Sequence, residues 1–196
     1  MTAMAEMITL FDGSKGGRRK CGSCSLCCRL LAVRSLNKPA GVRCTYQRHS
    51  DKGDCCKVYA KLESVSPECR LWSCRWVLDD AGATRRPDHV HYVIDSMPDF
   101  VLFDPEDGST PAKVPIVQVW VDPKHPHAHQ DPALRAWLDE GKHIALVRYD
   151  QERAFVLSPP SRSTDGQWHQ KHNMVPLRRT HSAREVIAAL AEGGSA

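Results

Sequence analysis

Nine cysteines stand between positions 21 and 74 of this 196-residue chain, and none follows in the remaining 122 residues. Four fall within eight residues, Cys21-Gly-Ser-Cys24-Ser-Leu-Cys27-Cys28. This uneven distribution constrains the fold more than any other feature. One segment is built around sulfur, and the rest is not. Thiolate is a soft ligand that selects zinc, copper(I) or iron–sulfur clusters over calcium or magnesium. A Cys-x2-Cys pair supplies two neighbouring corners of a tetrahedron around zinc, with two more ligands from elsewhere. Cys44, Cys56, Cys69 and Cys74 are available for that, so eight thiols suffice for two closed zinc sites. Cys21-x2-Cys24-x2-Cys27 equally reproduces the start of the bacterial ferredoxin spacing, although no Cys-Pro follows. Spacing alone therefore leaves zinc and iron both open. Adjacent Cys27 and Cys28 point in different directions along most backbones and so serve different roles.

Charge and hydropathy narrow the class. No apolar run approaches the roughly 20 residues needed to span a bilayer. Met7-Ile-Thr-Leu-Phe11 is too short for a secretory h-region and precedes the basic residues instead of following them. The expectation is a cytoplasmic protein, where thiols stay reduced and clustered cysteines bind metal more often than they form disulfides. The net charge of +4 conceals a split, with +8 between Arg18 and Asp79 and −4 elsewhere. Cations beside thiols lower their pKa and favour the ligating form, so much of this charge reads as compensation for bound thiolates. A nucleic-acid surface is the second reading of the same charge.

Along the chain, residues 1–20 read as a flexible basic tail, residues 21–88 as a cysteine-cluster metal-binding domain, and residues 89–196 as an α+β region without an assigned role. Ser66-Pro67 opens a helix on which Trp72 and Trp76 share a face and pack beside the site. Cys69 and Cys74 on such a helix lie about 140° apart, so they serve different centres unless the helix breaks. Further on, His91–Asp95, Phe100–Phe103 and Ile116–Val121 read as strands, with a turn at Asp104–Gly108. Asp131-Pro132 starts a helix that Gly141 stops, and Ile144–Tyr149 with Ala154–Leu157 form a hairpin. Ser182–Glu185 is a capping-box start for a last helix presenting Val186, Ile187 and Leu190. His125-Pro-His127-Ala-His129 has the look of a metal tract, but a Pro-bounded connection normally carries exposed polar residues; the solvated reading is preferred there, as for His89/His91 and His169/His172. This order of elements suits an α+β fold: a small cysteine-rich segment packed with, or followed by, a mixed α/β region. No phosphate-binding glycine loop and no Gly-x-Ser-x-Gly motif is present, and no partnered His/Asp arrangement marks a catalytic thiol.

Cys-x2-Cys-x2-Cys-Cys-Arg at positions 21–29 resembles the cysteine cluster of the YkgJ-like family, described as zinc- or iron-chelating proteins. The similarity extends through Leu36-Asn-Lys-Pro-Ala-Gly41, Cys44, Cys56-x-Val-Tyr59, Pro67-Glu-Cys69-Arg70, Cys74-x-Trp76 and Arg86-Pro-Asp88. It implies that Cys21, Cys24, Cys27, Cys28, Cys44, Cys56, Cys69 and Cys74 are ligands to zinc or iron, the latter as an iron–sulfur cluster. Cys55 stands where the family often has Gly and is the spare thiol; Ser66 stands where the family usually has Arg. A similar cluster occurs in flagellin lysine N-methylases, which implies an iron–sulfur-dependent modifying or redox enzyme as the alternative. No second motif for a methyl donor accompanies it. The expected partner is a metal ion, with no membrane and no protein partner legible, and a zinc-stabilised nucleic-acid- or protein-binding module is the third reading.

Overall fold

The structure is a computed structural model that describes residue 19 and residues 21–48, 56–78, 84–103, 110, 112–141, 143–150, 153–157, 161–162, 168–169, 172–176 and 186–188. The expected basic tail other than Arg19, the spare Cys55, the Asp104–Gly108 turn and the Ser182–Glu185 cap lie outside the described residues.

A five-stranded mixed sheet is built from β1 (Tyr92–Phe103), β2 (Ala112–Val121), β3 (Ile144–Arg148), β4 (Arg153–Leu157) and β7 (His172–Pro176), in the spatial order β1-β2-β3-β4-β7. A separate two-stranded ladder joins β5 (Ser161–Arg162) to β6 (Trp168–His169). Only β2 and β3 run parallel within the larger sheet. The described helices are α1 (Leu26–Leu30), α2 (Leu62–Val65), α3 (Pro67–Leu71), α4 (Arg75–Leu78), α5 (Pro87–Val90) and α6 (Pro132–Glu140), with a helical turn at 186–188. The fold is α+β, and the β3–β4 hairpin is present as expected. The expected strands His91–Asp95 and Phe100–Phe103 are one strand, β1, joined through a register shift between Ser96 and Asp99, and His91 lies outside it as the left-handed cap of α5. Pro98 falls in that shift, where its missing N–H cannot serve the ladder. Pro115 sits one residue before β2 begins pairing with β3 at Ile116.

A parallel pair needs a crossover, and α6 supplies it. Asp131 caps α6 by accepting from the Ala133 N–H at 3.1 Å, Pro132 takes the first helical position, and Leu134 and Leu138 are buried. They pack on the sheet face formed by Tyr92, Ile94, Val117, Val119, Val121, Ala145 and Val147. The opposite face carries two clusters. Val101, Ile116, Ile144, Leu146 and Val156 meet Val186 at one end. At the other, Val93 and Trp120 receive Cys24, Leu26, Leu30, Cys74 and Val77. The cysteine segment therefore packs directly on the sheet, and the Trp72 indole latches it by donating to Asp95 Oδ1 at 2.8 Å.

Asp131 also ties α6 to the sheet and to Arg85. Its Oδ2 accepts from the Tyr92 hydroxyl at 2.9 Å and the Arg85 guanidinium at 2.6 Å. Burial pushes this carboxyl up, but Arg85, the Ala133 amide and Tyr92 together hold it below the usual range. Asp131→Ala is expected to destabilise the fold by about 2 kcal/mol, from a lost cap and an orphaned half-buried hydroxyl. Because the folded pKa is depressed, this contribution is full above the unfolded aspartate pKa. It fades as pH falls through the folded value, so the two proteins should converge in stability in acid. Denaturant titrations at neutral and acid pH measure both.

Candidate metal centre

Short-range geometry first turns the chain around Cys21–Cys24. The Cys24 N–H donates to the Cys21 carbonyl at 3.0 Å, and Gly22 takes the left-handed conformation that this turn needs, with φ of 56°. α1 follows at once. It buries Leu26 and Leu30 and carries Cys27 and Cys28, both half-buried. Beyond α1 the chain reverses through Asn37, at φ of 47°, and a Val33–Lys38 bridge returns Lys38 toward the sulfurs. The Lys38 ammonium donates to the carbonyls of Leu31 and Pro39.

Three more contacts bring in the distant cysteines. The Cys44 N–H donates to the Cys28 carbonyl at 2.9 Å. Cys56 bridges to Gln47, whose amide donates to Ser25 Oγ at 2.7 Å, just ahead of α1. α3 carries Cys69 and is held to the Lys38 turn by Ser35, whose N–H and hydroxyl both donate to Glu68 Oε1 at 2.6 and 2.8 Å. Ser66 does occupy the cap position of α3, but without a side-chain cap bond; its hydroxyl meets Ser35 Oγ instead.

The helix expected to carry both tryptophans does not exist as one piece. Backbone at Trp72 turns extended, with ψ of 140°, and α4 begins afresh at Arg75. Trp72 and Trp76 thus lie on different elements, although both still pack against the cluster that contains Cys24 and Cys74. The break leaves Cys74 beyond the end of α3, so Cys69 and Cys74 do not share a helix.

All eight described cysteines are free thiols. Their mutual electrostatics divide them. Cys74 acts on Cys24, Cys27 feels Cys74 and Cys21, and Cys74 feels Cys21. Separately, Cys56 and Cys69 each feel Cys28 and Cys44. By electrostatic influence the thiols group as Cys21/Cys24/Cys27/Cys74 and as Cys28/Cys44/Cys56/Cys69. Of the first group Cys24, Cys27 and Cys74 pack in the cluster with Val93, while Lys38 faces Cys44, Cys28, Cys27 and Cys69 from both groups. A Cys27 thiol donating to Cys28 joins them. Burial pushes Cys24 up to about 12 and Cys74 up to about 11. Cys28 goes the other way, to about 7, because it accepts from Cys27 and, despite burial, faces the Lys38 charge. Burial lowers the Lys38 pKa, while Cys44, Cys28, Cys27 and Cys69 oppose that shift. Zinc–sulfur bonds of about 2.3 Å place tetrahedral sulfurs about 3.8 Å apart. Among the described residues no three sulfurs lie mutually within 4.8 Å, so metal binding requires each set to contract.

The group that does lie within 4.8 Å is His91, Asp122 and His125. Residue spacing concealed it, since the three come from the end of α5, the end of β2 and the following turn. His125 belongs to the tract expected to be solvated. His129 of that tract instead faces Pro126 O at 2.9 Å and lies edge-on to Phe155. Among the described residues no helix is long and apolar enough to cross a membrane. Comparison with protein-family models, with curated proteins and with solved structures gives no match to this chain.

Proposed function

We propose that this chain is a cytosolic metal-binding protein whose eight thiols hold zinc or an iron–sulfur centre, without catalysis of its own. The observation that carries this reading is the gathering of eight free thiols, from separate chain stretches, into one another's electrostatic range. Burying thiols together is unfavourable for thiolates unless a cation joins them, and a bound metal relieves both burial and mutual repulsion. The likeness to the YkgJ-like cluster supports the same donor set. Lys38 faces four of the sulfurs, and Arg19 bonds the Trp76 and Thr84 carbonyls while its guanidinium lies 5.6 Å from the Trp76 ring centre. This much of the basic charge is used within the segment, which favours compensation over a nucleic-acid surface.

Purification without oxygen followed by elemental analysis and optical absorption tests the proposal. Stoichiometric zinc in a colourless protein is the expected result for a structural centre. A brown protein with sulfur-to-iron charge-transfer bands identifies the iron–sulfur form and opens the modifying or redox alternative. A fully folded protein free of both metals overturns the reading.

A further inference from the structure

We propose that His91, Asp122 and His125 form a second, sulfur-free site for a divalent first-row cation, independent of the thiols. The backbone assembles it. His91 ends α5 in the left-handed conformation, with φ of 63°, uncommon for a residue with a side chain. Its N–H donates to Pro87 O at 2.8 Å, and its carbonyl accepts from the Asp122 N–H at 2.9 Å. The Asp122 carbonyl in turn accepts from the His125 N–H at 2.8 Å, closing a turn with Pro123 in second place. Two backbone bonds thus hold three ligand-bearing residues together. The two imidazole rings stack with centres 3.6 Å apart and planes 8° from parallel.

The donor set is two imidazoles and one carboxylate, which suits divalent zinc, iron or manganese and leaves further positions open. Asp122 is only 3% exposed, while His125 is exposed and its ring can turn. That rotation matters, because ligand atoms within 4.8 Å must close to about 3 Å around an ion. Two clefts border the group, both lined by His91 and His125. One of about 280 Å³ is lined by Ser23, Gln47 and Asp88, and one of about 620 Å³ by Arg85, His89 and His127. Asp122 is partly engaged already: Oδ1 accepts from the Lys124 N–H at 3.1 Å and Oδ2 pairs with Arg29. A carboxylate has about four lone-pair positions, so acceptor capacity remains. Arg29 is the competing cation, and it comes from α1 between Cys28 and Leu30.

Manganese(II) is the probe, because it favours oxygen donors over thiolate and so leaves the sulfur sets unread. The full chain, carrying whatever metal its thiols hold, is titrated with Mn²⁺ and followed by electron paramagnetic resonance. One bound Mn²⁺ per chain is expected. Arg29→Gln should tighten it about tenfold by removing one adjacent charge. His125→Ala changes an exposed side chain and should spare the fold. Changes around a metal's ligands alone cost about 10–100-fold, so losing the ligand should weaken binding about 100-fold or more. Stoichiometric binding in the wild type that is lost in His125→Ala, or in Arg29→Gln that is lost in Arg29→Gln with His125→Ala, supports the site. No stoichiometric Mn²⁺ in either protein, or equal binding in His125→Ala, overturns it. Neither result bears on the thiol proposal.

Discussion

If the thiols hold metal as proposed, Cys74→Ser and Cys69→Ser are each expected to weaken one metal equivalent about a hundredfold and leave the other unchanged. The two cysteines are five residues apart, yet the extended backbone at Trp72 sends them to different sets. Cys74 lies with Cys21, Cys24 and Cys27, and Cys69 with Cys28, Cys44 and Cys56. A structural zinc is bound by about 10–16 kcal/mol through four ligands, so one lost thiolate removes about 3 kcal/mol, roughly two orders of magnitude in affinity. Doubles sharpen the test. Cys69→Ser with Cys28→Ser should lose no more metal than either alone, whereas Cys69→Ser with Cys74→Ser should lose both equivalents. Elemental analysis after gel filtration with a competing chelator, chosen about tenfold weaker than the wild-type sites, reads the count. If all eight thiols share one polynuclear cluster, every single variant loses all the metal. The sets should also differ in pH response. Ligating thiols must shed protons, so affinity rises with pH, about tenfold per unit for each proton released. Cys24 and Cys74, held near 12 and 11, release theirs throughout the neutral range. Cys28, near 7, is partly ionised there already, so its set should respond less steeply to pH above 7.

What was legible in the sequence followed physical locality. Asp131-Pro132 to Gly141 contains its own cap, first turn and stop, and α6 runs between them as expected. Ile144–Leu157 similarly contains two apolar runs around a polar link and forms the β3–β4 hairpin. Failures came where tertiary contacts overrode local pattern. Trp72 and Trp76 have ideal helical spacing, but the Trp72 indole is committed to Asp95 and the helix ends beneath it. β7 was missed because His172–Pro176 carries little apolar alternation; its place comes from antiparallel pairing with β4. The thiols are proposed as ligands from type and spacing, whereas the separation of Cys69 from Cys74 depends on a backbone break with no signal of its own. His91, Asp122 and His125 were hidden for a related reason. Asp122 reads as a strand-ending turn residue, and nothing in the spacing says that its amide meets His91.

If the thiols hold metal as proposed, its chelation is expected to unfold the described parts of residues 21–78 while the sheet survives. The segment's buried apolar residues are few, among them Leu26, Leu30, Val33, Leu62 and Val77, and two further buried members are the cysteines Cys24 and Cys74. Its four helices, α1 to α4, have only four or five residues each, far below the length at which a helix holds itself. Small segments of this kind need staples, and a structural metal supplies its binding free energy as folding free energy. At about 10–16 kcal/mol per ion, that contribution rivals the whole stability of about 5–15 kcal/mol typical of a domain. The sheet has no such dependence. Val119, Val121, Ala145 and Val147 are fully buried under Leu134 and Leu138, and Ile116, Ile144 and Leu146 fill the other face. Hydrogen exchange followed by mass spectrometry should therefore show Leu26–Val33 and Pro67–Val77 losing protection on chelation while β2, β3 and β4 keep theirs. Val93 and Trp120 lose their cover in the same step, so a dye for apolar surface should bind. Intact protection across residues 21–78 in metal-free protein would mean that burial against Val93 and the Trp72–Asp95 latch suffice to fold the segment.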